Sequence, residues 1–494
     1  IIIVRMTARG RNCPDWRDMK SSWSIWWSRT HLWLLKFVIF VLFAGLAFRL
    51  IVDQSATFDH NFVNSRGELS KDSGVDVSQQ LLNISGFTRK ESSSPPPLFV
   101  DANDDENSSI DGTTRFPSLI AVDDDQTTHV PAPQAEEAGE RVSPEGKCDV
   151  FAGDWVPNPS GPIYTDSSCS FIDGHQNCIR NGRPDSGYLK WKWSPRNCEL
   201  PPFDAQKFLE LMKNKSMAII GDSISRNHAQ SLLCMLSTAE KPTEVYHDER
   251  YKTKRWNFPS YNFSFSNIWS PYLIHAAIFE DDNGVASDVA RLHFDKVDAS
   301  WTESYHDLDY MVISTGQWFL KAGMYYENNT EVGCHLCSGK NVTETGFAYA
   351  YQKALRTVLS FVSASNHSGT IFFRMSIPDH FYDGEWYDGG RCRKQSPVKE
   401  GEIAIKDVQH YLRDVELEEF GNASAKAADN GVKLKLLDFT NLLLRRPDGH
   451  PDVYREFHPF SGGKNITVSD CLHWCLPGPI DYLNDIIMKL IMDG

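Results

Sequence analysis

Hydrophobic and polar positions follow three different rhythms along the chain. From His31 to Phe48 (HLWLLKFVIFVLFAGLAF) the sequence is apolar apart from Lys36, and Leu50, Ile51 and Val52 extend the run beyond Arg49. That is close to the ~20 residues a helix needs to cross a bilayer. Residues 53–147 have no apolar period at all. They contain SSSPPP, DANDDENSS, VDDDQ and PAPQAEEAGE, a composition that cannot bury enough apolar surface to fold. From about Asp204 onward, short apolar runs alternate with helical periods.

In that last region the spacing predicts a helix from Phe203–Asp204 to about Asn214, a strand over Met217–Ile220 and a helix over Ser225–Leu236. Strand-like runs follow at Tyr261–Trp269, Tyr272–Phe279, Ala290–Phe294, Tyr310–Ser314, Ile371–Met375 and Val432–Phe439. Phe347–Ser363 and Ile403–Glu418 carry helical periods, and Pro479–Met492 closes the chain as an amphipathic helix. Strands alternating with helices argue an α/β fold with a parallel sheet covered on both faces.

Charge sharpens this division. Residues 1–52 hold eight basic side chains against two acidic ones, whereas 53–147 hold 18 acidic against seven basic. The chain has 494 residues and a net charge of −15, and residues 148–494 hold no basic stripe for nucleic acid. Arg5, Arg9, Arg11, Arg17, Lys20 and Arg29 precede the apolar run, and Trp23, Trp26, Trp27 and Trp33 form an aromatic belt beside it. The positive-inside rule then makes 1–30 a cytosolic tail, 31–52 an uncleaved signal anchor and 53–147 a luminal stem. The competing reading is a cleaved signal peptide, but no small-residue cleavage site is evident. Ten cysteines fall on the luminal side, an even number that suits disulfides in an oxidising compartment. Nine Asn-x-Ser/Thr sequons fit a glycosylated secretory-pathway protein. Residues 148–203 hold four of the cysteines with Trp155, Trp191 and Trp193, and read as a small disulfide-stapled domain ahead of a larger body over 204–494.

The chemistry centres on Gly221-Asp222-Ser223. Gly221 permits a tight turn, and Ser223 falls where a buried strand becomes a helix. Open α/β sheets place their sites at that carboxyl edge, and a helix N-terminus offers N–H groups to an oxyanion. The plainer reading is that Asp222 or Ser223 only caps the helix. A serine nucleophile needs a base. The best candidate lies in SDCLHWCLPGP, where Asp470 and His473 are three residues apart and Cys471 and Cys475 flank them. An Asp orienting a His that takes the serine proton completes a triad. Two alternatives stand beside it: a capping Asp with a structural His, and a zinc site joining Cys471, His473 and Cys475 to Cys334 and Cys337. Disulfides account for those cysteines better than zinc, and no metal or bound cofactor is expected.

Gly316, in STGQWF after the strand ending at Ser314, is a candidate second oxyanion donor. The loop RMSIPDHFYDGEWYDGGRC (374–392) follows another strand and is rich in Gly, aromatic and charged residues. Such a loop suits a carbohydrate site and equally an ordinary surface.

CDVFAGDW, QNCIRNGRPDSGYLKWKW, CELPPFD, GDSISRN, TGQW, GGRC and DCLHWCLPGP occur in one order from Cys148 to Pro479. Together they resemble the plant trichome birefringence-like family of polysaccharide O-acetyltransferases, over roughly 70% of the chain. The resemblance implies a single-pass type II Golgi enzyme with a three-layer α/β/α SGNH/GDSL-like fold. Ser223 would be the nucleophile, with Asp470 and His473 as its Asp-x-x-His pair. It further implies an acetyl donor, acetyl-CoA or a derivative, as co-substrate, and a cell-wall polysaccharide as acceptor: xyloglucan first, then xylan, then mannan or pectin. One departure stands out. The third SGNH block includes an Asn donor, and RMSIPDHF has none, which leaves Asn262 in SYNFSF as a substitute despite its sequon. An esterase with the same triad and a polysaccharide-binding protein without catalysis are the competing readings.

Overall fold

The computed structural model describes residues 148–494 apart from 281–287, 338–340, 387, 393–394 and 462–467. The expected tail, anchor and stem lie outside the described residues. Among the described residues no helix is long and apolar enough to cross a membrane.

Two strands, β1 (Gly153–Pro157) and β2 (Trp191–Pro195), pair antiparallel in the cysteine-rich segment. Helix α1 (Ala205–Leu211) then leads into β3 (Ser216–Gly221) and α2 (Ser223–Leu236). An edge hairpin follows, β4 (Thr243–His247) and β5 (Lys254–Phe258), then β6 (Phe263–Trp269), β7 (Ile274–Ala277) and β8 (Ala290–Val297). Next come the short α3 (Ala299–Thr302), β9 (Tyr310–Ile313), β10 (Gly323–Glu327) and β11 (Thr330–His335). The chain ends with α4 (Gly346–Ala364), β12 (Thr370–Arg374), α5 (Asp407–Asp429), β13 (Lys433–Leu437), α6 (Thr440–Leu444) and α7 (Tyr482–Met492).

The main sheet runs β13-β12-β9-β3-β6-β5-β4. Its centre is parallel, as the apolar runs require, because both faces are covered. Met217 and Ile219 of β3 enter one hydrophobic cluster with Leu232 and Leu236 of α2 and Ile486 of α7. Ala218 and Ile220 enter the other, with Leu355 and Val358 of α4 and Leu412 of α5. This is the expected three-layer arrangement. From β3 the chain first adds β4, β5 and β6 on one side and only later β9 on the other, so a topological switch point lies beside β3.

Three features depart from the sequence reading. The sheet is mixed, because β4 and β5 add an antiparallel edge. Every residue of β4 is exposed, so it carries no apolar signal. A second, four-stranded sheet, β11-β10-β8-β7, was not expected as a separate sheet. Lastly, the cysteine-rich segment is not stapled only to itself. Cys148–Cys198 closes within it, but Cys169–Cys234 and Cys178–Cys475 tie it to α2 and to the C-terminal region. The Trp155 indole N–H donates to the Leu442 carbonyl (2.9 Å), and Arg445 Nη1 donates to the Gly153 carbonyl (2.9 Å). The segment is thus a wall of the same body.

Candidate active site

At the carboxyl end of β3 the chain passes from strand to helix within two residues. Gly221 has φ +149°, and a side chain there would collide with the Ser314 carbonyl and with Ser225. Asp222 is the cap of α2: its Oδ1 accepts the N–H groups of Ile224 (3.0 Å) and Ser225 (3.3 Å). Ser223 is the first residue of the helix, half-buried, and its own N–H is not one of the two taken by the cap.

Arg374, the last residue of β12, is buried and donates from Nη2 to Ser225 Oγ (3.0 Å). Burial pulls its pKa down to about 10, against the pull of Asp222 and Glu416. Glu416 on α5 is fully buried, and burial pushes its carboxyl up to about 7. It accepts the Ser376 N–H (2.8 Å) and hydroxyl (3.2 Å) and the Tyr351 hydroxyl (2.5 Å). Gly316 packs so closely on Ser376 that an added Cβ would lie 2.7 Å from the serine Cβ. Gly316 therefore belongs to this same carboxyl edge.

Asp470 and His473 meet as their spacing predicts. Asp470 Oδ1 accepts the N–H of Leu472 (3.1 Å) and of His473 (2.9 Å), and Oδ2 lies 2.9 Å from His473 Nδ1. The carboxylate thus closes the turn and fixes the imidazole, placing a proton on Nδ1 and leaving Nε2 as the basic nitrogen. Nε2 is buried and has no hydrogen-bond partner. Although Asp470 is buried, the His473 ring and its hydrogen bonds hold the carboxyl far below the usual carboxylate range, outweighing the upward push of burial. Disulfides anchor both ends of the turn: Cys471 to Cys392, and Cys475 to Cys178. The zinc alternative is dispersed, since Cys334 and Cys337 pair with each other.

Asn227 links the two halves. It stands one turn after Ser223 on α2, and its side chain accepts the Trp474 N–H (2.7 Å) and donates to the Trp474 carbonyl (3.2 Å). The serine helix and the Asp470–His473 turn are therefore held together through the residue next to the histidine. Arg183 of the cysteine-rich segment supports the turn from behind, donating to the carbonyls of His450 (2.9 Å) and Asp448 (2.7 Å).

Asn262 does not join this group. β3 and β6 are parallel, with Ser216 opposite Ser264, so Asn262 precedes the amino end of the sheet. Its amide donates to Asn214 Oδ1 (3.1 Å). At about 3.3 Å per residue the length of β3 separates it from Ser223, and it cannot serve as an oxyanion donor. Asn262 opens its strand, and in the parallel sheet expected from sequence the start of a strand already lies at the edge opposite Ser223. Asn227, Arg374, Glu416 and His450 were not singled out from sequence. Asn227 carried a weak signal, lying four residues after Ser223 on the same helix face.

The structure thus joins the helix that Ser223 begins to an Asp-fixed histidine turn, with no hydrogen bond between Ser223 and His473 Nε2. Residues 200–490 match the GDSL/SGNH-like acyl-esterase family found in Pmr5 and Cas1p, and residues 146–199 match the PMR5 N-terminal domain. The chain is 58% identical to trichome birefringence-like protein 23 of Arabidopsis thaliana over 351 residues, covering 70% of this chain and 81% of that protein. It is 40% identical to xyloglucan O-acetyltransferase 1 of Populus trichocarpa (71% and 82% covered) and of Arabidopsis thaliana (72% and 83% covered). The chain belongs to the trichome birefringence-like family.

Proposed function

We propose that this protein is a Golgi polysaccharide O-acetyltransferase, anchored by residues 31–52 with its body in the lumen, that carries acetyl on Ser223. The observation that carries the reading is the Asp470–His473 pair, with Nε2 unengaged, tied through Asn227 to the helix that Ser223 begins. His473 Nε2 takes the Ser223 proton as Oγ attacks the acetyl carbonyl of the donor, acetyl-CoA or a derivative. The Ser223 N–H, at the positive end of α2, faces the developing oxyanion, with Gly316 as the second donor. The tetrahedral intermediate expels the donor's leaving group, which receives the proton from His473, and acetyl remains on Ser223. An acceptor hydroxyl then loses its proton to His473, attacks the acyl-enzyme and leaves as the acetyl ester, while the proton returns to Ser223.

Xyloglucan is the favoured acceptor, followed by xylan; the two 40%-identical relatives named for xyloglucan acetylation support the first of these. The same side chains would serve an esterase if water replaced the sugar hydroxyl, and the acyl-esterase description of the matching family keeps that as the second reading. Incubation with an acetyl donor and unacetylated xyloglucan or xylan oligosaccharides separates them. A transferase adds the mass of an acetyl group to the oligosaccharide. An esterase adds none and instead removes acetyl from a pre-acetylated one.

A further inference from the structure

Behind His473 lie two buried histidines that the acyl-transfer steps do not use. His450 follows Asp448-Gly449, and its ring packs against Trp474, tilted by 33°, with centroids 4.1 Å apart. Its Nδ1 is 2.7 Å from the backbone carbonyl of His473. Its Nε2 is 2.7 Å from His380 Nδ1, and His380 Nε2 is 2.9 Å from the Leu444 carbonyl. All four ring nitrogens of the pair are thus engaged in one line from Leu444 to His473.

A carbonyl oxygen only accepts, so His380 Nε2 and His450 Nδ1 must each carry a hydrogen. The nitrogen–nitrogen contact needs one more between the rings. The complete line therefore requires three N–H hydrogens, and two neutral imidazoles supply only two. From this count we infer that His380 and His450 are positioning residues for His473 that act as a pair sharing one excess proton. With that proton the line is closed, and the His473 carbonyl is held from Leu444. Without it, one contact becomes lone pair against lone pair and the line opens.

The surrounding charges leave the pair titratable. Asp379, which pairs with Lys406 (2.7 Å), and Asp448, which pairs with Arg446 (2.8 Å), lie on the His380 side. Asp470, with its partner His473, and Arg183 lie on the His450 side. The three carboxylates favour the excess proton; Lys406, Arg183 and Arg446 oppose it. Burial works against it as well and lowers both imidazoles from their ordinary value, so the excess proton leaves as pH rises.

The inference rests on His473 being the base, and its test separates the two. Nitrogen-15 NMR of the full chain labelled on histidine, with the two rings assigned by single substitution, counts N–H groups on the pair directly. Three at about pH 5 and two at about pH 8 are expected. Two at both values, or three at both, overturns the inference. In acetyl transfer, the wild-type kcat should decline on the alkaline side as the line opens. His450→Phe keeps the ring contact with Trp474 but has no N–H, and should lower kcat roughly tenfold and abolish that decline, with KM little changed. His380→Phe frees His450 to donate from Nδ1 as a neutral ring, and should lose the decline with a smaller loss of kcat. Variants that keep the wild-type pH profile, at any kcat, would show that the rings only fill space. Acetyl transfer surviving in Ser223→Ala would instead refute the reading of the site, leaving the N–H count unaffected.

Discussion

The side chain of Asn227 holds both backbone polar groups of Trp474, accepting its N–H at 2.7 Å and donating to its carbonyl at 3.2 Å. This one side chain couples the helix of Ser223 to the turn of His473, although 247 residues separate the partners. Asn227→Leu would strand two buried backbone groups, each at a cost of about 1–3 kcal/mol. We expect a fall in melting temperature. We further expect kcat to drop at least tenfold even where the variant is fully folded, because His473, the proposed base, loses its register with Ser223. A folded Asn227→Leu protein with wild-type kcat would show that the clamp does not position the site.

Asp470→Asn tests the pair itself. An amide in place of the carboxylate can present its N–H to Nδ1 and force the wrong tautomer, and the expected loss in rate is about 10³–10⁴-fold. The same substitution predicts a change in acid stability. The folded-state pKa of Asp470 lies below its unfolded value of about 3.9. Its contribution is therefore present above about pH 4 and disappears as pH falls through the folded value. Denaturant titrations at falling pH should show the wild-type protein losing stability there, and Asp470→Asn losing less.

Glu416 and Asp481 act in the opposite sense. Burial raises them to about 7 and about 6, above unfolded values of about 4.3 and 3.9. The native protein keeps protons that the unfolded chain has lost, so the contribution of these two groups to stability is fully present below about pH 4 and is lost as pH rises through the folded values. For Glu416 the full span is on the order of 3 kcal/mol. Melting temperature measured from about pH 5 to 8 should fall, and Glu416→Gln should flatten much of that fall. A wild-type curve that rises over this range contradicts the assignment.

The disulfide between Cys178 and Cys475 spans 297 residues and fixes one end of the histidine turn. Replacing both cysteines with alanine should cost about 2–5 kcal/mol and reduce kcat more than the equivalent change at Cys148 and Cys198. That bond closes only 50 residues and joins no residue of the turn. Equal activity losses at the two pairs would deny the first any special hold on the site.

Much of this arrangement was legible in the sequence, for reasons of periodicity. The central strands are short apolar runs because both sheet faces are buried, and the glycine-to-serine turn announces itself by residue type. Asp470 and His473 could be paired because their contact is local, three residues within one turn. What depends on tertiary placement was not legible. Asn262 was misplaced although the expected parallel sheet already put the start of its strand at the edge opposite Ser223. β4 has no buried residue and so left no pattern. Asn227, Arg374 and His450 act on partners far away in the chain, and nothing in their local sequence shows where those partners lie.

The central claim is that acetyl rests on Ser223 between donor and acceptor. Rapid quenching of the full chain with acetyl donor and no acceptor, followed by peptide mass analysis, tests it directly. The account predicts one added acetyl group on the peptide containing Ser223, which disappears when acceptor oligosaccharide is added and never forms in Ser223→Ala. Turnover without any acetylated Ser223, or undiminished transfer by Ser223→Ala, would contradict it.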